Sequence, residues 1–122
     1  MGAGREQILI VDDEPDMCWA LEKLLTSRGF ATQKALSAQE ALDLMNQHHF
    51  NRAFLDAKLP DMDGLELARR LMEISPDLRI IMVSGYFYRD DYNVQIAISQ
   101  KLIGGFISKP FHQDEILKPL KT

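Results

Sequence analysis

Four short apolar runs, separated by stretches of helical periodicity, constrain this chain more than any other feature. The runs are Ile8-Leu9-Ile10-Val11, Ala53-Phe54-Leu55, Ile80-Ile81-Met82-Val83 and Phe106-Ile107. Each is too short for a helix and too continuous for a strand with one face in water. Each therefore reads as a strand buried on both faces, the condition of a parallel sheet. A weaker strand is expected at Ala31 to Ala35.

The intervening segments carry helical spacing. Met17, Leu21, Leu24 and Leu25 fall at i, i+4, i+7 and i+8, with Gly29 where a helix stop belongs. Ser37 and Glu40 have capping-box spacing ahead of Ala41, Leu42, Leu44 and Met45. Asp63 and Glu66 stand similarly before Leu67, Leu71 and Ile74, and Pro76 closes that run. Val94, Ala97 and Ile98 form a fourth stripe, closed by Gly104-Gly105. A fifth, short helix is expected from about Gln113 to Lys118, because Pro119 inside it would cost about 3 kcal/mol.

The order βα repeated five times predicts an α/β fold: a doubly wound, five-stranded parallel sheet with helices on both faces. The 122 residues suit one domain, with a core over about 7–118. A hydrophobic content of 46% is enough for that core. The net charge of −4 argues against direct nucleic-acid binding, which needs a basic patch. No stretch approaches the roughly 20 apolar residues of a membrane span, and no signal peptide is read, so a cytoplasmic location is the default expectation. The single cysteine, Cys18, excludes an internal disulfide and is expected to pack as a small core or boundary residue.

Ligands of such sheets bind beyond the carboxyl ends of the strands. The first strand ends in Asp12-Asp13, the third in Asp56, the fourth in Ser84 and the fifth in Ser108-Lys109-Pro110. Singly, each has a bland explanation: a helix cap before Pro15, a turn toward Pro60, a loop serine, a solvated lysine. Together they place three carboxylates, a hydroxyl and an ammonium at one edge. Crowded carboxylates repel unless a cation neutralises them. Magnesium suits all-oxygen donors and keeps several waters of its own. Such a site fits an incoming phosphoryl group, with the metal and Lys109 neutralising its oxygens and Asp56 attacking phosphorus.

On these residues the sequence resembles a response regulator receiver domain of two-component signalling, with the flavodoxin-like fold of chemotaxis regulators. The matching segments are Ile8 to Pro15, Leu55-Asp56, Leu59-Pro60-Asp61-Met62-Asp63-Gly64, Val83-Ser84-Gly85-Tyr86 and Gly105 to Phe111. The resemblance implies that Asp56 is the phosphoacceptor. It implies that Asp12, Asp13, Asp56 and the Lys58 carbonyl hold Mg2+, and that Ser84 and Phe106 are the switch pair. Lys109 takes the place of the family's lysine, and Pro110 that of the proline following a cis peptide. The implied donor is a sensor histidine kinase or a histidine phosphotransfer protein. The implied output is a changed surface of fourth helix, fifth strand and fifth helix, read by an unidentified output domain or protein. Such a domain promotes its own phosphorylation and dephosphorylation without being a metabolic enzyme. It stands alone or forms the N-terminal part of a longer regulator. One departure concerns spacing: Ser84 and Lys109 are a few residues further apart than is usual, with the excess falling in Gly85 to Asn93.

Two alternatives use the same residues differently. A haloacid-dehalogenase-like phosphatase would employ Asp61-x-Asp63, Ser84 and Lys109, but leaves Asp12, Asp13 and Asp56 without a role. A degenerate receiver used only for docking would need a broken acidic site. A calcium loop at Asp61 to Gly64 fails, since its first and twelfth positions would be Leu59 and Arg70. His48-His49 is expected at the end of the second helix, where positive charge suits the dipole. His112 is expected to face solvent. Trp19 fits either solvent or a partner contact. Tyr86, Phe87, Tyr88 and Tyr92 are expected to pack locally or to offer a docking surface.

Overall fold

A computed structural model describes residues 6–85 and 91–121. Its elements are β1 (Gln7–Val11), α1 (Pro15–Ser27), β2 (Ala31–Ala35), α2 (Ala38–Met45), β3 (Arg52–Leu55), α3 (Gly64–Ile74), β4 (Arg79–Ser84), α4 (Tyr92–Ser99), β5 (Gly105–Ser108) and α5 (Gln113–Leu117). A 3-10 turn follows at Lys118–Lys121. Every strand pairing is parallel, and the sheet order is β2-β1-β3-β4-β5.

Strand alternation divides the apolar runs between two cores. Leu9, Val11, Ala53, Leu55, Ile80, Met82 and Phe106 face α2, α3 and α4. Ile8, Ile10, Phe54, Ile81, Val83 and Ile107 face α1 and α5. Ile8, Leu9, Ile10 and Val11 are all at most 1% exposed, which explains why β1 has no polar residue after Gln7 at its start. Each such side chain contributes about 1.5–3 kcal/mol by burial. The edge strand β2 has only Ala35 fully buried, so its sequence signal was weak.

Several local expectations need correction. α2 ends at Met45, so His48-His49 lies beyond the helix; the His48 N–H donates to Leu44 O, and its ring tilts against Phe50 at 6.0 Å. The Asp63–Glu66 capping box is not made: Asp63 gives α3 no side-chain cap, and Glu66 pairs with Arg69 and Arg70 on the exposed helix face. α4 stops at Ser99 rather than at the glycine pair. Lys101 takes a left-handed φ of 60°, the Leu102 N–H returns to Ala97 O, and Gly105 already belongs to β5. The helix before Pro119 ends as expected, at Leu117 with Lys118 as its C-cap, and the chain continues as the 3-10 turn. The Ser37 cap is made as expected, with Ser37 Oγ accepting the Glu40 N–H at 3.2 Å. Gly29 likewise stops α1, with φ 92°. Tyr86, Phe87 and Tyr88 lie outside the described residues; Tyr92 opens α4 and is 76% exposed.

Candidate functional site

The strand order reverses between β1 and β3, and the crevice at that point opens beyond their carboxyl ends. Asp12 follows β1 and Asp56 follows β3, held there by backbone bonds from Asp12 N–H to Ala35 O and from Asp56 N–H to Val11 O. Both side chains are buried. An open cleft of about 530 Å³ lies over Asp56, lined also by Asp13, Glu14, Lys58, Leu59, Pro60, Gly85 and Lys109.

Carboxylate oxygens of Asp12, Asp13, Glu14 and Asp56 come within 4.8 Å of one another. That is close enough for them to share one hard cation, and all donors are oxygen, the set magnesium or calcium takes. Glu14 is an addition that the sequence reading did not single out. It is the N-cap residue of α1, directly after the acidic pair, so its position follows from the turn into the Pro15 helix.

Lys109 crosses from the β5 end to this cluster. Its Nζ lies 2.7 Å from Asp12 Oδ2, 3.3 Å from Glu14 Oε1 and 3.5 Å from Asp56 Oδ2. The Lys109–Pro110 peptide is cis. The Lys109 N–H donates to Ser84 O, tying the ends of β4 and β5 together. Burial alone would lower the Lys109 pKa, but the hydrogen bond and charge of Asp12, with the charge of Asp56, hold it above its ordinary value. Burial pushes the Asp56 carboxyl above the usual carboxylate range. Lys109 and the Lys58 N–H oppose that, while Asp12 and Asp13 reinforce it. Asp12 accepts through both oxygens, from the Glu14 N–H at 2.9 Å and from Lys109. It therefore orders the turn into α1 as well as holding Lys109 at the site.

Ser84 ends β4, wholly buried, in register with Ser108. Phe106 lies two register steps back, opposite Met82, and is 4% exposed. Its ring already sits in the core with Val94 and Ala97. The Lys58 backbone pairs with Asp63 in an isolated antiparallel bridge, and its N–H donates to Asp56 Oδ1 at 3.4 Å.

Asp61 and Asp63 do not join the acidic cluster. Asp61 Oδ1 and Oδ2 accept the Ala38 and Gln39 N–H groups, each at 2.9 Å. These bonds hold the Asp61 carboxyl below its usual range. The phosphatase alternative thereby loses the carboxylate pair it requires. Cys18 is buried in α1, where desolvation pushes its thiol up to about 11. Trp19 is 58% exposed, with Lys23 Nζ 5.6 Å from its ring centre. His112 is exposed and begins α5 within a capping box completed by Glu115.

The fold and this cluster define a five-stranded parallel α/β domain with an acidic crevice at its switch point, and comparison with known proteins gives its class. The family model described as "Response regulator receiver domain" matches residues 8–121. The chain is 31% identical over 118 residues to sporulation initiation phosphotransferase F of Bacillus subtilis, covering 95% of this chain and 91% of that one. It superposes with a TM-score of 0.88 and 30% identity on a receiver domain protein from Methanospirillum hungatei, covering 97% and 92% of the two chains. It matches response regulator protein TrrA of Thermotoga maritima, solved in complex with Mg(2+)-BeF, at a TM-score of 0.80 and 27% identity over 95% and 96%. Other curated relatives are longer: the chain spans 24% of the C4-dicarboxylate transport regulator DctD of Rhizobium meliloti. The chain belongs to the response regulator receiver domain family. It is thus a signalling domain of two-component systems, a class that works with histidine kinases and output domains. Among the described residues no helix is long and apolar enough to cross a membrane.

Proposed function

We propose that the chain is a single receiver domain that accepts a phosphoryl group on Asp56 and converts it into a changed surface at α4, β5 and α5. The observation that carries this reading is one carboxylate. Asp56 is 4% exposed, beside Asp12 and Asp13, with Lys109 Nζ 3.5 Å away, at the switch point of the sheet. A docking-only receiver has no use for a buried carboxylate in that setting.

Asp13, Asp56 and the Lys58 carbonyl, with Asp12 alongside, would hold a divalent cation; magnesium, when bound, supplies neutralisation of phosphoryl oxygens. The chain's own groups do the rest. Asp56 provides the nucleophilic oxygen. Its O–P bond forms as the donor's P–N bond breaks, and the departing imidazole nitrogen takes up a proton from solvent. Lys109 moves from Asp12 toward the new oxygens and offsets their charge. The Ser84 hydroxyl, at the neighbouring strand end, donates to a phosphoryl oxygen. The donor is a histidine kinase or a histidine phosphotransfer protein, in the cytoplasm.

The test is covalent. A small acyl phosphate plus magnesium should add one acid-labile phosphoryl group to the parent chain and none to Asp56→Ala. Equal modification of both chains at one place would remove Asp56 from the role.

A further inference from the structure

The segment that links the Asp56 strand to α3 is fixed at its base by its own backbone. The Gly64 N–H donates to Ala57 O at 2.8 Å, and Lys58 bridges Asp63. The tip, Pro60 and Asp61, is exposed. Among the described residues, the polar attachment of that tip to the rest of the fold is the Asp61 carboxylate, clasping Ala38 and Gln39 on α2, 23 and 22 residues away in sequence.

α2 does not depend on Asp61 to begin. Its own Ser37 takes the Glu40 N–H, and the Ala41 N–H already bonds Ser37 O. The Ala38 and Gln39 N–H groups lie at an end where water could serve them. Both oxygens of Asp61 are nevertheless committed there. The gain falls on the loop: a two-point anchor fixes both the position and the rotation of the tip, three residues beyond Lys58.

We propose that Asp61 is a positioning residue for the acidic site. Its clasp on the start of α2 holds the 58–63 turn, so that the Lys58 carbonyl is presented to the cation shared by Asp13 and Asp56. This rests on the site reading above. Asp61 touches neither phosphoryl group nor cation; it acts through the loop. The clasp also ties α2 to the state of the site, since strengthening the Lys58 contact and strengthening the Asp61 contact stabilise one loop conformation.

Magnesium chloride titrated calorimetrically into the whole chain tests this. Asp61→Ala should weaken binding by roughly 10-fold, the effect seen when a group orienting a metal ligand is removed. Asp61→Asn, which keeps one acceptor oxygen, should recover part of the loss. Ser37→Ala, which uncaps the same helix without touching the loop, should leave magnesium affinity unchanged while lowering thermal stability. Magnesium should also shift the Ala38 and Gln39 amide signals in the parent and not in Asp61→Ala. If Asp61→Ala binds magnesium as the parent does, while Asp13→Asn and Asp56→Asn lose binding, the positioning role is overturned and the site reading stands. Equal losses in Ser37→Ala and Asp61→Ala overturn it too, because the effect is then that of the helix. If Asp13→Asn and Asp56→Asn bind as the parent does, the site reading falls, and the role of Asp61 with it.

Discussion

Asp56 sits in a conflict between burial and charge, and that conflict has a measurable sign. Its folded pKa lies above the ordinary value of 3.8, chiefly through desolvation. The native chain therefore holds this proton more tightly than the unfolded chain. Stability falls as pH rises from the unfolded value through the folded one, and the penalty is complete above both. In metal-free buffer, Asp56→Asn should raise the unfolding temperature at neutral pH. The gain should vanish about one unit below the ordinary aspartate value, where the unfolded carboxyl is also protonated. Thermal unfolding in chelator at the two pH values checks this; an equal gain at both would show that charge is not the cause. At this scale the sequence was informative about which polar groups stand at strand ends, as with Asp12, Asp56, Ser84 and Lys109. It was silent where partners meet only through the fold. Asp61 reads as a motif carboxylate beside Asp63 until α2 is set beside it. Arg52 reads as an odd charge in a buried strand until Glu6 at 2.7 Å and Pro119 O at 2.6 Å are seen to satisfy it.

Among the elements, α3 is coupled to the site through backbone contact at its first residue. It starts at Gly64, directly against the backbone that carries Asp56. A methyl group on Gly64 would lie 2.7 Å from Ala57 Cα and closer still to the Asp56 carbonyl oxygen. Both obstacles are backbone, which cannot rotate aside as a side chain can. Gly64→Ala should therefore destabilise the chain by about 1–3 kcal/mol, the range for overpacking, and slow phosphorylation at Asp56 by displacing the strand end. A urea midpoint and a phosphorylation time course on the same protein check both. An unchanged midpoint would mean that the helix start can move away freely. Element identity was legible because strands buried on both faces and amphipathic helices have different periods. Element ends were less so. α4 ends through a left-handed lysine, Lys101, where the sequence offers a glycine pair three residues later as the more obvious stop. Asp63 has the right spacing to cap α3, yet its backbone pairs with Lys58 instead. Spacing reports which bonds are available; the loop's other commitments decide which of them form.

Across the whole molecule, the site and the α4–β5–α5 face meet at the ends of β4 and β5, where Lys109 N–H binds Ser84 O. Phosphorylation replaces the Asp56 carboxylate with an acyl phosphate that carries roughly −1.5 to −2 charges in all. Moving a two-state equilibrium from 1:99 to 99:1 takes about 5.5 kcal/mol. One hydrogen bond to a charged group supplies about 1.5–3 kcal/mol, so Ser84 alone falls short. Lys109 adds to it only in part, because it must leave a contact of 2.7 Å with Asp12. Phe106 is already buried, 4% exposed, so any change in its packing is passed directly to the elements around it. The remaining change belongs to the β4 end and to α4, which packs over Phe106 through Val94 and Ala97. Beryllofluoride with magnesium, used as a phosphoryl mimic, should therefore shift amide signals of residues 84, 85 and 91–111 more than those of α1 and α2 beyond Gln39. Ser84→Ala should reduce the shifts along α4 while leaving those at Asp13 and Asp56 in place. If the shifts in the parent stay within the acidic crevice, the chain binds the phosphoryl group without transmitting it along this face, and the switch roles of Ser84 and Phe106 fail.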